Sequence, residues 1–351
     1  VAQHNGAGEA GQRKMPMDYQ DPVYGRVTIA EPVLLALMES DAIQRLKGVL
    51  QHGVTGLLGI TKPVTRFEHS VGVMLLVRRL GAPLEEQIAA LLHDVSHTAF
   101  SHVIDYVFNN HDAQSYHDEQ KERYVAGSDL PALLRRHGYD WRRFLDENAY
   151  PLLEQPAPRL CADRLDYFFR DSLDLCLATP AAVAAALDRL VVREGRIMCA
   201  DVAAARWLAE TYLAADEASW ANFREVGLYE LAAQAIRHAL ASGILRQDDL
   251  WGEDRAIWAR LQQTDDGELQ RILALVSPAT RFVWDDEQPT FRVSTKLRTI
   301  DPEVVLAGGQ VAPLSALDAD YARRRAAYLE QHSGSWPVRV VPAPGERSRI
   351  R

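Results

Sequence analysis

The chain has 351 residues, of which 47% are hydrophobic and 25% charged, the proportions of a globular protein with room for one large core and an appendage. Its formal net charge of -9 excludes a general nucleic-acid binder, which would need a basic surface to displace counterions. No run approaches the roughly 18 apolar residues that a membrane-spanning helix needs, and three cysteines without CxxC spacing (Cys161, Cys176, Cys199) suit the reduced thiols of a cytoplasmic protein rather than a disulfide framework.

Residues 1–17 are small and polar, lack the apolar stretch of a secretory signal, and read as a flexible leader. A turn at Asp21, Pro22 and Gly25 precedes a short strand at 27–29. Glu31-Pro32 then opens a helical stripe of Leu34, Leu35, Met38, Ile43, Leu46 and Leu50, broken near Ser40-Asp41. The Gly- and Thr-rich segment 52–65 reads as a loop. Helical spacing returns at 68–80, stops at Gly81-Ala82-Pro83, resumes from Leu84 to Leu92 and into HDVSH, and continues over 100–108. Further helices are expected before Pro151, after Pro156 and Pro158, over 180–190 and 201–218, and over 225–243 and 254–263. After Pro278 the pattern alternates like strands at 280–284, 290–296 and 338–342, around a charged helix at 317–332. The chain thus divides into a leader, a helical core over 18–264, a small α+β appendage over 265–342 and a basic tail over 343–351.

The chemistry concentrates in RFEHSVGVMLLVRRLGAPLEEQIAALLHDVSHTAFSH, residues 66–102, which holds His69, His93, Asp94, His97 and His102. Imidazole and carboxylate together suit a divalent transition metal. His93 and His97, four apart, share a helical face, whereas the adjacent His93 and Asp94 diverge by about 100°. One ion reaches both only at the helix edge, with His69 and an aspartate of ADRLDYFFRD (162–171) completing the set. Spacing leaves Asp163 and Asp166 as alternatives for that place. Two histidines and two aspartates leave coordination positions open, as a catalytic site requires. Asp163, Tyr167 and Asp171 step by four along one helix, with Arg170 three beyond Tyr167, so a ligand, an aromatic ring and a hydroxyl acceptor can follow one another on a face.

In DPVYG (21–25), QRLKGVLQHG (44–53), RFEHSVGV (66–73), LLHDVSHTAFSH (91–102), YHDEQ (116–120) and DRLDYFFRD (163–171), the chain resembles the HD-domain phosphohydrolases, and more narrowly their deoxynucleoside triphosphate triphosphohydrolase branch. The resemblance implies a mainly α fold, an HD-domain helical bundle to which the C-terminal α+β appendage is added. It implies one divalent transition metal (Mn, Fe, Zn, Co or Ni) held by His69, His93, Asp94 and Asp163, choosing Asp163 over Asp166. Arg66, His97, His102 and Arg164 match residues around the substrate phosphates. His117 matches a general acid, with Asp118 holding its tautomer, and Gln51, Tyr167 and Asp171 match contacts to the sugar. The activity implied is hydrolysis of a (deoxy)nucleoside triphosphate to nucleoside and triphosphate, by a homo-oligomer. Its alternatives are a phosphatase for a nucleoside monophosphate or other small phosphoester, and a non-catalytic nucleotide-binding module. Two departures from that branch stand out. Where it carries an Arg and a Tyr ahead of a Val-Gly step, this chain has Ala214 or Ala215 and Asn222, and Lys47 replaces the Arg of its effector site.

Overall fold

The computed structural model describes residues 15–341. The expected tail, and all of the expected leader but residues 15–17, lie outside the described residues. Met17 opens a hairpin of β1 (Met17–Asp21) against β2 (Gly25–Ile29), whose turn is held by Asp21 Oδ1 accepting the backbone N–H of Val23 and Tyr24. α1 (Pro32–Met38) starts on its proline and α2 (Asp41–Arg45) on Ser40, whose Oγ accepts the Ile43 N–H, so the expected break falls at a cap. Within the segment read as a loop, one turn of helix forms, α3 (Gly53–Leu57). It buries Val54, Thr55 and Gly56, so packing outweighs the poor helix propensity of Gly and Thr. Gly53 has φ +47 and lies against the Phe100 carbonyl, where a side chain would collide.

α4 (Arg66–Arg79) begins in a capping box: Thr65 Oγ1 accepts the Glu68 N–H at 3.1 Å, and Glu68 Oε2 accepts the Thr65 N–H at 2.8 Å. α5 (Leu84–Leu92) packs beside it after the Gly81–Pro83 break. Then come α6 (Val103–Val107), α7 (Tyr116–Gly127), α8 (Leu130–Arg136), α9 (Ala162–Asp174) and α10 (Pro180–Leu187). A hairpin that the periodicity did not suggest follows, β3 (Leu190–Arg193) with β4 (Arg196–Cys199), turned through Glu194 and Gly195 at positive φ. α11 (Val202–Ala215) runs into a π-helical turn at Asp216–Trp220, and α12 (Phe223–Ala241), α13 (Asp254–Gln262) and α14 (Gly267–Leu275) complete the run of helices.

In the remainder, β5 (Arg281–Trp284) and β6 (Phe291–Val293) flank the later β9 (Trp336–Val341), all antiparallel. β7 (Glu303–Val305) pairs with β8 (Val311–Pro313) and, in parallel through Val304 and Cys199, with β4. α15 (Leu314–Leu317) and α16 (Ala319–His332) lie against α11. The molecule is mainly α with a smaller α+β part, as expected. Its two apolar clusters both draw on the C-terminal residues: Ile300, Val304, Leu314 and Tyr321 join the core around α4, α5, α9 and α11, and Val293, Trp336 and Val338 join that around α6, α12 and α14. No helix among the described residues is long and apolar enough to cross a membrane.

Candidate active site

The cap at Thr65 sets the first turn of α4, and with it Arg66 and His69. α5 ends at Leu92, so His93 and Asp94 lie in the turn that follows rather than on the helix, which lets neighbouring side chains converge. Asp163 comes from the first turn of α9. His69 Nε2 stands 2.9 Å from Asp163 Oδ1, 3.2 Å from His93 Nε2 and 3.5 Å from Asp94 Oδ2. His93 Nε2 is 3.4 Å from Asp163 Oδ1 and 3.5 Å from Asp94 Oδ1. Donors at 2.0–2.2 Å from one ion lie roughly 3–3.5 Å apart, and the spacings of the two histidines to each other and to each aspartate are of that order.

The outer hydrogen bonds say what the inner atoms are. His69 donates its Nδ1–H to Asp166 Oδ2 at 2.7 Å, and His93 donates its Nδ1–H to the Ala90 carbonyl at 2.8 Å. Both Nδ1 positions are thus taken, and the two Nε2 atoms face each other and the carboxylates. A divalent cation placed among them would take both Nε2 lone pairs and the carboxylate charge, so the residues present fit such a metal. The acids favour positive charge at this point. Burial disfavours charge on His93, but Asp94 and Asp163 outweigh it and lift its pKa to about 10. Burial also opposes the Asp94 charge, yet Arg66, at 2.5 Å, and the nearby histidines hold its carboxyl well below the ordinary range. Asp166 has both oxygens occupied, by His69, by Arg170 Nε at 2.8 Å and by the Tyr24 hydroxyl at 2.8 Å. It is a partner of the His69 ring and turns no oxygen to Nε2.

Beside the cluster opens a cavity of about 530 Å³, lined by every expected site residue except His69, which is fully buried behind it. His97 stacks on His117 with centroids 3.8 Å apart, and its Nε2 is 3.2 Å from Asp94 Oδ1. Burial, with Arg66 and His117, holds the His97 pKa well below the usual value, and burial pulls that of His102 down to about 4. His102 gives its Nδ1–H to Asp105 at 3.0 Å, and Asp118 Oδ1 lies 3.4 Å from His117 Nε2. Arg66 is held between Asp94 and the Ser101 hydroxyl. Arg164 turns its guanidinium to the Gln155 and Arg159 carbonyls and lies 3.5 Å from Glu154. Asp171 accepts from His52 Nε2 at 2.9 Å and from the Trp220 indole at 2.6 Å. Tyr167 meets the Tyr212 hydroxyl and packs edge-on to Trp220 at 5.0 Å. Gln51 Oε1 is buried without a hydrogen-bond partner.

Sequence reasoning missed His52, Tyr212, Trp220, Lys296, Arg298 and Arg325, all of which line the cavity. His52 lay inside a motif quoted for the resemblance without being singled out. The cations at 296, 298 and 325 carried no local signal, because only the folding of the C-terminal part over the helices brings them to the site.

The HD-domain profile matches residues 66–171, the span from the start of α4 to Asp171. A metal-dependent phosphohydrolase, cns2, of Cordyceps militaris is 38% identical over 318 residues, covering 88% of this chain and 91% of that one. The deoxynucleoside triphosphate triphosphohydrolase SAMHD1 of Danio rerio is 34% identical over 105 residues, covering 26% of this chain and 17% of that one. A crystal structure of a hypothetical protein from Aquifex aeolicus superposes with a TM-score of 0.68 at 18% identity over 96% of this chain and all of that one, which shows the fold. Helical fold, converged donors and sequence agree on the class, a metal-dependent hydrolase of phosphate compounds. The chain belongs to the HD-domain metal-dependent phosphohydrolases.

Proposed function

We propose that the protein hydrolyses a phosphoester of a nucleotide, releasing the nucleoside from its phosphates, with a deoxynucleoside triphosphate as the first substrate to test. The observation that carries this reading is the pair of opposed Nε2 atoms with two carboxylates, beside a cavity that Tyr167, Tyr212 and Trp220 also line. Those rings offer a nucleoside an apolar surface. When bound, a divalent metal supplies a Lewis acid that lowers the pKa of water and polarises a phosphoryl oxygen. His69, His93, Asp94 and Asp163 would hold it. Arg66, kept in place by Asp94 and Ser101, offsets charge growing on the phosphoryl oxygens. His102, with Nδ1–H fixed on Asp105, presents Nε2 towards the same space. His117, ordered by its stack on His97, gives a proton to the leaving oxygen. The free thiols accord with a cytoplasmic protein, and we carry over the expected homo-oligomer as part of this proposal.

The test incubates purified protein with dGTP, dATP and dAMP and Mn, Fe, Co or Ni, then separates triphosphate from orthophosphate. Triphosphate is the expected product. Orthophosphate from dAMP alone would select a monophosphatase, and neither product would end the nucleotide reading. His117→Ala should lower kcat by about 10²–10⁴-fold, and unchanged turnover would remove it as the acid.

A further inference from the structure

Resting on the phosphoester reading above, we propose that Lys296, Arg298 and Arg325 form a second anion subsite in this cavity, which takes a phosphate group of the substrate other than the one under attack. Lys296 and Arg298 lie in the extended stretch between β6 and β7, Arg325 lies on α16, and all three line the cavity. Their partners are neutral. Arg298 donates to the Gln114 side-chain oxygen and, at 3.2 Å, to the Lys296 carbonyl. Arg325 donates Nε–H to Thr299 Oγ1 at 3.0 Å, and Lys296 Nζ approaches the Ala113 carbonyl at 3.4 Å. Among the described residues, no carboxylate oxygen lies within 4.0 Å of any of the three charged groups.

The other two cavity arginines contrast with these: Arg66 meets Asp94 at 2.5 Å and Arg164 lies 3.5 Å from Glu154. Asp216 presents Oδ2 to the Arg298 backbone N–H and to the Tyr328 hydroxyl, each at 2.9 Å, rather than to the guanidinium. A protein with net charge -9 has acids to pair with its cations, yet three that line this cavity have none within ion-pair distance. Each guanidinium has five N–H donors and an ammonium three, so most donors here are free to meet an anion. Phosphate oxygens satisfy several such donors at once with charge-assisted hydrogen bonds. Burial, then Arg298 and Arg164, lowers the Lys296 pKa, consistent with crowding among cations that a bound polyanion relieves. The second phosphate is either the next one in a polyphosphate chain or one elsewhere on a bisphosphorylated nucleotide.

The metal-loaded full chain is assayed with dATP, adenosine 3′,5′-bisphosphate and dAMP, as wild type, Lys296→Gln, Arg325→Gln and Lys296→Arg. Wild type should favour one of the first two over dAMP in kcat/KM, and which one identifies the source of the second phosphate. Each Gln variant should lower that ratio by about tenfold or more, mainly through KM, and Lys296→Arg should restore much of it. Calorimetric titration with inorganic tripolyphosphate should show the Gln variants binding about tenfold more weakly than wild type. An unchanged ratio, or an equal fall for all three substrates, overturns the subsite and leaves the hydrolase reading intact. No turnover of any phosphoester, with tripolyphosphate binding that still depends on Lys296, would sink the hydrolase reading and support the subsite.

Discussion

His69 and His52 are both buried histidines between acids, and they are built for opposite purposes. The Nδ1–H of His69 is tied to Asp166, which turns its Nε2 towards the place a metal would take. His52 is itself the cation. Burial opposes its charge, but Asp171, hydrogen-bonded at 2.9 Å, with Glu225 behind, outweighs burial and raises its pKa to about 9. The folded protein therefore keeps a proton that the unfolded chain loses near pH 6.5. The stability this contributes is full below about pH 6.5 and disappears as pH rises through about 9. Urea unfolding should show wild type losing roughly 2–3 kcal/mol between about pH 6.5 and 9.5, and His52→Gln should lack that component. Identical pH slopes in the two proteins would dismiss His52 as its source.

Among the elements, the packing of α4 on α9 carries the site. Gly72, mid-helix in α4, faces the Asp166–Arg170 pair of α9, where a methyl group would overlap Arg170 Nη2 and Asp166 Oδ1. Replacing an interior helical glycine by alanine ordinarily stabilises by about 1 kcal/mol. Here the neighbours cannot yield, because Arg170 bonds Asp21 as well as Asp166, and Asp166 orients His69. Gly72→Ala should instead destabilise by roughly 2–4 kcal/mol, and metal content of the purified variant should fall. A variant with raised Tm and full metal content would show that the helices part without harm. The β3–β4 hairpin illustrates a different limit. Leu190–Cys199 contains the Glu194-Gly195 turn that could have marked it, yet the strands are four residues each and follow an Ala-rich helix, so helical periodicity masked them.

At the level of the whole molecule, the C-terminal part closes both cores and one wall of the cavity. β4 has β7 as its outer neighbour, and Tyr321 and Val338 are fully buried. A chain ended at residue 278 would expose that surface and lose Lys296, Arg298 and Arg325. We expect it to lack a cooperative thermal transition by circular dichroism. A truncated chain that melts at the wild-type temperature and retains metal would contradict this.

Much of the candidate site was legible in the one-dimensional text. The helices α4 and α5, the histidines and aspartate on and just after them and the metal they suit follow from periodicity and ligand chemistry, which act over a few residues. Spacing could not separate Asp163 from Asp166, because both lie on one helix within reach of His69, and the direction of each carboxylate depends on Arg170, Tyr24 and Asp21 from elsewhere. Nor could it bring His52 to Asp171, or the cations of the C-terminal third to a cavity built by the first two. Those juxtapositions join residues far apart in the chain, and only the packing of the folded chain decides them.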